Sequence, residues 1–175
     1  DWTIDKDTLA RATKAETVAI LNDLQAQGHA LGFLDDANIR TVLPGPSGQP
    51  NAARLVVGVG TGFNAAPVFD LAQGRVVTPS ESGHANLPIR NEMELRLCQF
   101  VSTAHGFPAV EDVLSGRGLE RAYAFLGDEA NDPRESAAKD IMAACADGTD
   151  DRAVAAARLF TRILGTVCGN LSLIQ

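Results

Sequence analysis

A block of short strand-like segments, followed by a long stretch of helical patterns, constrains the fold of this chain more than any other feature. The runs at 54–60, 65–71 and 75–78 contain many β-branched and apolar residues, which favour strands. The second and third runs are separated by Ala72-Gln73-Gly74, a sequence typical of a hairpin turn. We therefore predict three consecutive strands in an antiparallel meander.

Helical periodicity dominates the sequence after Pro79. Apolar residues recur at helical spacing in segments that we assign as helices at 91–103, 110–113, 119–126, 136–147 and 151–163. The apolar face of the first of these is predicted to contain Met93, Leu97, Phe100 and Val101. Strands followed by helices predict a mixed α/β domain, with a sheet and packed helices.

The sequence before the strands contains a further strand-to-helix pattern. Residues 17–21 form a short apolar run that ends at Asn22-Asp23. We predict a buried strand here, leading into a helix over about 24–31 that Asn or Asp caps and Gly28 disturbs. Residues 44–50 contain three prolines and two glycines, so we predict a loop or hinge at this point.

Composition excludes several classes of partner. The formal net charge is −7, which disfavours binding to nucleic acid or to an anionic membrane surface. No apolar run approaches the ~20 residues of a membrane-spanning helix, and the first residues are acidic where a secretory leader is basic.

The spacing of Cys98, Cys145 and Cys168 matches no zinc or redox motif. We interpret them as reduced thiols of a cytoplasmic protein without a resident metal.

Two segments contain candidate catalytic or ligand-binding residues: one carries an acidic side chain, and the other is rich in glycine. Asp23 follows the predicted strand, where a carboxylate can act as a general base for a substrate hydroxyl, or can simply cap the helix. The run Gly58-Val59-Gly60-Thr61-Gly62 closes a strand. Its successive amides can bind a phosphate, or the run can be an ordinary tight turn.

Two later segments have the same ambiguity. Glu81 and His84 lie three positions apart on a glycine-containing loop. Together they can bind a small polar ligand, or they can belong to an ordinary surface loop. Glu111 precedes Ser115-Gly116-Arg117-Gly118, a pattern typical of a helix end and a glycine turn. None of these patterns is specific by itself.

Taken in order, these segments resemble the motifs of the bacterial glucokinase family, sugar kinases of the hexokinase, Hsp70 and actin superfamily. Asn22-Asp23 resembles the family's Asn-Asp pair, and 58–62 resembles its Gly-x-Gly-Thr-Gly phosphate loop. Residues 78–84 and 111–119 are similar to its Glu-Gly-Gly-His loop and its Glu-x-x-Leu-Ser-Gly-x-Gly-Leu segment. Residues 168–171 are similar to its Gly-Gly-Asn-Leu stretch.

The resemblance implies an actin-like, ribonuclease H-like sugar-kinase fold. It assigns residues 1–34 to the end of a small domain that carries the catalytic Asp, and residues 35–175 to much of a large α/β domain. It implies a cytoplasmic enzyme that phosphorylates glucose at the 6-hydroxyl, with ATP and Mg²⁺ as cofactors. It is also compatible with a homodimer.

The resemblance also implies roles for individual residues. Asp23 would be the catalytic base that takes the proton from the 6-hydroxyl. Glucose would be bound by Asn22, Asp23, Glu81, His84 and Glu111. The phosphates of ATP would be bound by Gly58, Gly60, Thr61 and Gly62.

Departures from the family motifs leave alternatives open. Asn64 stands where a small residue is expected, and Ser82 replaces the first glycine of Glu-Gly-Gly-His. An Asp-x-Gly-Gly-Thr phosphate loop and a glycine-rich adenine segment are not found, so we expect an internal fragment that is inactive alone. The alternatives are a non-catalytic sugar-binding or regulatory relative, and a kinase for another hexose.

Overall fold

The computed structural model describes residues 4–46, 48–49 and 51–174, without the side chains of residues 103–105. The elements before the sheet are α1 (Lys6–Thr13) and α2 (Asp23–Ala30). The strands are β1 (Arg54–Val59), β2 (Phe63–Leu71) and β3 (Gly74–Val77). The later helices are α3 (Glu92–His105), α4 (Val110–Val113), α5 (Gly116–Glu129), α6 (Ala138–Asp147) and α7 (Asp151–Ser172).

The sheet has the order β1-β2-β3 with β2 in the middle. Both pairs are antiparallel, with Val57 opposite Ala65 and Val68 opposite Val77. The predicted meander is therefore confirmed. The predicted turn at 72–74 is shorter than expected, because Gly74 is already the first residue of β3.

The predicted strand at 17–21 is wrong. This segment lies outside every described helix and strand, and Ile20 and Leu21 are 48% and 44% exposed. A strand needs a hydrogen-bonded neighbour, and the described strands pair only with one another. The predicted cap is confirmed, because Asn22 Oδ1 accepts a hydrogen bond from Gln25 N at 2.7 Å. Gln25 Oε1 accepts in return from Asn22 N at 3.2 Å, which completes a capping box.

Helix α2 packs closely against the face of the sheet. A Cβ atom at Gly28 would lie 2.7 Å from Val77 Cγ1 and 3.0 Å from Val68 Cγ2, so a side chain here would force the helix away from the strands. Leu24 is buried with Ala66 and the two valines in a small core. The helix is continuous through Gly28, which corrects the predicted disturbance; the glycine allows close packing instead.

Arg75 anchors the end of α2 to the sheet. Its guanidinium donates hydrogen bonds to the backbone oxygens of His29, at 3.1 Å, and of Leu31. Its Nε atom donates to Asp70 Oδ1 at 2.7 Å. The side-chain hydrogen bond from Arg75 is the main cause that lowers the pKa of Asp70. These contacts satisfy backbone oxygens that a helix end leaves unpaired.

The larger core lies among the helices after the sheet. Its most buried side chains include Leu97, Leu114, Phe125, Ile141 and Ile163. Helices form at all the predicted positions, 91–103, 110–113, 119–126, 136–147 and 151–163; α4 has the predicted bounds, and the others are shifted at one or both ends. Helix α7 continues well past the predicted end, through residues 168–171.

The inward face of α3 differs from the prediction. Met93 is 38% exposed, whereas Glu94 is only 2% exposed. The Glu94 carboxylate accepts hydrogen bonds from Arg90 N at 2.7 Å and from Arg162 Nε at 3.1 Å. These partners offset the cost of burying a charged group. The face that packs inward therefore contains Glu94 together with the predicted Leu97, Phe100 and Val101, and Met93 lies beside it.

Two further predictions concern loops and membranes. The described part of the 44–50 segment lies outside helices and strands, as expected, while Ser47 and Pro50 lie outside the described residues. Among the described residues, no helix combines the length and apolarity needed to cross a bilayer.

A partly buried hydrogen bond between α5 and the N-cap residue of α7 predicts an acid-sensitive contribution to stability. Tyr123 Oη donates to Asp150 Oδ2 at 2.8 Å, and this bond is the main cause that lowers the pKa of Asp150. A lowered carboxyl pKa contributes stability above the unfolded value, and the contribution is lost as the pH falls through the folded pKa. We expect Asp150→Asn to lower the free energy of unfolding at pH 7 by about 1 kcal/mol. Urea unfolding measures this difference.

The difference in unfolding free energy at low pH provides the control for this prediction. Asn keeps the oxygen that accepts from Arg152 N at 2.8 Å, so the substitution spares the helix cap while it removes the charge and the oxygen that accepts from Tyr123 Oη. The difference between the two proteins should therefore shrink as the pH is lowered below about 4, where the unfolded carboxyl titrates. A difference that stays constant down to pH 2.5 would contradict the assignment.

Candidate active site

A cavity of about 380 Å³ lies between the start of α2 and the turn from β1 to β2. Its lining includes Asp23 and Gln27 from α2 and residues 58–64 from the hairpin. The cavity forms because Leu24, next to Asp23, packs on Gly58: a Cβ atom there would lie 3.0 Å from Leu24 Cδ2. The glycine thus brings the carboxylate-bearing end of the helix close to the hairpin.

Asp23 is the first residue of α2, and its side chain is not used as the helix cap. Asn22 performs that function through its side-chain oxygen. The Asp23 carboxylate accepts a hydrogen bond from Leu24 N at 2.9 Å, and it forms no ion pair with the described residues. The carboxylate is exposed to the cavity and is therefore available to a ligand.

The glycine turn is held in place by its own backbone. Gly60 N donates to the backbone oxygen of Gly62 at 2.9 Å, and Gly116 N donates to the backbone oxygen of Gly60 at 2.8 Å. The second bond fixes the turn to the start of α5. Because the Gly60 amide is engaged within the turn, it is not free to donate to a ligand.

Glu111 and His84 form a pair beside the glycine turn. His84 Nε2 lies 3.3 Å from Glu111 Oε1. A Cβ atom at Gly62 would lie 2.9 Å from Glu111 Oε2, so the carboxylate lies directly against the turn. Helix α4 presents Glu111, and the short 3₁₀ turn Ser82–His84 presents His84.

Gly83 brings this 3₁₀ turn onto the sheet. A Cβ atom at Gly83 would lie 2.1 Å from the backbone oxygen of Phe63, which no side chain can occupy. Phe63 is the first residue of β2 and is buried. The loop that carries Glu81 and His84 therefore lies flush against the strand that follows the glycine turn.

The structure brings some of the predicted site residues together and leaves others apart. Asp23 and the glycines of 58–62 line one cavity, and Glu111 connects this turn to His84. Glu81 is exposed and makes no capping hydrogen bond to the turn that follows it. Asn22 does not belong to the cavity lining.

Two residues of the site were not predicted from the sequence. Gln27 lines the cavity four positions after Asp23, a spacing that places both side chains on one face of a helix. That spacing is the signal by which it was detectable. Asn64 also lines the cavity and hydrogen-bonds the 80–82 segment. These bonds join residues distant in the sequence, which no local pattern reveals.

A second cavity adjoins the other side of the glycine turn. It has a volume of about 490 Å³, and its largely apolar lining includes Gly60, Leu119, Met142, Phe160 and Leu164. Residues 59 and 60 border both cavities. Among the residues that the structure describes, no group of three or more His, Cys, Asp or Glu side chains is arranged to hold a metal ion.

Comparison with known proteins finds one family of relatives for this chain. The family model for glucokinase matches residues 1–175. The chain is 29% identical over 175 residues to a glucokinase of Rhizobium leguminosarum bv. trifolii, covering 99% of the chain and 51% of that relative. It is 32% identical over 180 residues to a glucokinase of Brucella abortus, with the same coverage of 99% and 51%. The chain thus spans about half the length of the curated relatives it matches.

Solved structures show the same relation. A glucokinase from an Antarctic psychrotroph superposes with a TM-score of 0.85 at 25% identity, over 96% of this chain and 52% of that one. The glucokinase of Balamuthia mandrillaris, solved in complex with glucose, gives a TM-score of 0.64 at 29% identity, over 73% and 38% of the two chains. The predicted mixed α/β sugar-kinase fold is therefore confirmed. The chain belongs to the glucokinase family.

Proposed function

We propose that the protein containing this chain transfers the γ-phosphoryl group of ATP to the 6-hydroxyl of glucose. The observation that carries the proposal is the cavity in which the Asp23 carboxylate faces the glycine turn 58–62. A base and a phosphate-binding turn on opposite walls of one cavity suit an in-line phosphoryl transfer. The relatives named glucokinase, and the Balamuthia mandrillaris structure with glucose, support the choice of substrate.

In this proposal Asp23 removes the proton from the 6-hydroxyl. The hydroxyl oxygen attacks the γ-phosphorus, the bond from that phosphorus to the β–γ bridging oxygen breaks, and ADP leaves with the bonding electrons. The proton passes to the Asp23 carboxylate. Asp23 is suited to this role because its carboxylate is exposed and forms no ion pair in the described part of the chain, so that it can reach the hydroxyl.

The sugar ring would be held by polar side chains beside the turn. His84 and Glu111, 3.3 Å apart, offer one nitrogen and a carboxylate to adjacent ring hydroxyls. Glu81 and Asn22 would complete the ring of polar groups, as the family resemblance implies. Glu81 and His84 are exposed in this structure; polar pairing that a bound sugar would bury discriminates strongly between sugars that differ in one hydroxyl.

The nucleotide would lie on the other side of the turn. Thr61 and Gly62 would donate to its phosphates. Gly58 and Gly60 would contribute by having no side chain. Gly58 allows Leu24 to pack on the strand, and the amide of Gly60 is already engaged within the turn. The apolar cavity bordered by Gly60 would accommodate the base. Mg²⁺, when bound with ATP, would neutralise phosphate charge that a chain of net charge −7 does not offset.

The proposal includes the division into residues 1–34, ending a small domain, and 35–175, forming a large domain. The packing of α2 on the sheet supports a cleft whose wall carries Asp23. A cytoplasmic location and a homodimer remain predictions of the family resemblance.

A coupled enzyme assay tests the proposal. The full-length protein, supplied with Mg-ATP and a panel of hexoses, is expected to produce glucose 6-phosphate from glucose with the highest kcat/KM of the panel. A higher kcat/KM for another hexose would mean that this hexose, and not glucose, is the substrate. Tight glucose binding in calorimetry without turnover would instead favour the non-catalytic relative.

A further inference from the structure

The side chain of Asn64 connects the β1–β2 hairpin to the loop that carries Glu81 and His84. Asn64 Oδ1 accepts hydrogen bonds from Ser82 N and from Ser82 Oγ, both at 3.1 Å. Asn64 Nδ2 donates to the backbone oxygen of Ser80. These bonds join residues 16 and 18 positions apart in the sequence. They attach the middle of the loop to the second residue of strand β2.

Asn64 also has a defined orientation and a place in the Asp23 cavity. Its Oδ1 atom accepts a further hydrogen bond from Ala65 N at 2.8 Å, which restricts the side-chain rotamer. The residue is half-buried, and it lines the cavity together with Asp23. One side chain therefore lines the Asp23 cavity and also contacts the loop that carries His84.

The two departures from the family motifs are in direct contact. Asn64 stands in place of a small residue, and Ser82 stands in place of a glycine. A small residue at 64 would have no acceptor for the Ser82 hydroxyl, and a glycine at 82 would have no hydroxyl to donate. The hydrogen bond from the Ser82 hydroxyl to Asn64 Oδ1 exists only when both departures are present, so the two residues form one unit.

We propose that Asn64, acting through Ser82, is a positioning residue of the sugar site. It holds the 81–84 loop in the orientation in which His84 meets Glu111. This inference rests on the proposed function for its effect on glucose. Because Asp23 is positioned by α2 and not by this loop, loss of Asn64 affects sugar binding more than the proton transfer.

Kinetics of single and double variants test the proposal in the full-length protein. Asn64→Ala is expected to raise the glucose KM roughly 10-fold and to lower kcat less than about 3-fold. Ser82→Gly keeps the backbone bond and is expected to raise KM roughly 3-fold. The double variant should be no worse than Asn64→Ala, because residues that act as a unit are not additive. An unchanged KM in Asn64→Ala, or strict additivity, overturns the proposal.

Matched controls separate positioning from general damage. Asn86 is exposed on the same connection, and Asn86→Ala is expected to leave KM and kcat unchanged. Asn64→Asp keeps the acceptor oxygen for Ser82 but replaces the donor to the Ser80 backbone oxygen by a charged oxygen, so it provides a second test should Asn64→Ala fail to fold. Asn64→Asp is expected to raise the glucose KM by less than Asn64→Ala does. A KM for Asn64→Asp that is as unchanged as that of Asn86→Ala counts against the proposal.

A spectroscopic measurement without sugar separates this inference from the proposed function. The His84 ring proton, assigned by its loss in His84→Gln, is followed by NMR in each variant. Its chemical shift is expected to change in Asn64→Ala and to stay constant in Asn86→Ala. A changed shift in a protein that does not phosphorylate glucose refutes the proposed function and keeps the positioning role. An unchanged shift in Asn64→Ala overturns the positioning role.

Discussion

Replacement of Asp23 by Asn is expected to reduce kcat by roughly 10²–10⁴-fold, the usual contribution of a general base. The amide cannot take the proton from the 6-hydroxyl, although it has the size of the carboxylate. The amide also retains an oxygen that can accept the hydrogen bond that Leu24 N donates to Asp23 Oδ1 at 2.9 Å. Helix α2 should therefore stay intact, because its cap is Asn22. A coupled assay gives kcat, and calorimetry should show glucose binding within a few-fold of the parent.

Asp151→Asn is the matched control for this substitution. Asp151 is likewise the first residue of a helix, α7, and is exposed, so it has the same charge and the same backbone position as Asp23. We expect this variant to keep the parent kcat. A near-normal kcat in Asp23→Asn would mean that another group takes the proton.

The second large effect is expected for Gly83→Ala. The added Cβ atom would lie 2.1 Å from the backbone oxygen of Phe63 and 3.3 Å from Glu111 Cβ. Neither backbone can move without displacing the loop from β2. We expect a loss of roughly 1–3 kcal/mol in the free energy of unfolding, typical of overpacking. Glucose affinity should fall at least about 10-fold, because His84 follows Gly83 directly.

Gly165→Ala provides the control for the glycine substitution. Gly165 lies within α7, and a Cβ atom there meets no heavy atom within 4 Å. Ala is the better helix former, so this variant is expected to gain up to about 1 kcal/mol. Urea unfolding measures both variants. A Gly83→Ala protein with parental stability and glucose affinity would contradict the close contact with Phe63.

Elements with a clear hydrophobic period were predictable from the sequence. The meander follows from runs of β-branched and apolar residues, and the helices after Pro79 follow from apolar residues at helical spacing; both patterns depend only on nearby residues. The failures have long-range causes. The run 17–21 has the composition of a strand, but nothing in it shows whether a partner strand is present. The burial of Glu94 depends on Arg162, 68 positions away.

The same distinction applies to the site. Motif order pointed to Asp23, the glycine turn, His84 and Glu111, because these residues form short local signatures. The contact of Gly62 with Glu111 joins distant segments, so that only the folded chain reveals it. The engaged amide of Gly60 is a detail of backbone geometry. It changes which residues of the turn can donate to a phosphate.

The central claim is that the cavity between Asp23 and the glycine turn is where the sugar hydroxyl meets the phosphate. A crystal structure of the full-length protein with glucose and a non-hydrolysable ATP analogue tests it most directly. The account predicts the glucose 6-hydroxyl within about 2.6–3.2 Å of an Asp23 carboxylate oxygen, with the terminal phosphate at Thr61 and Gly62. A 6-hydroxyl bound to a different carboxylate, or a terminal phosphate remote from the glycine turn, would contradict it.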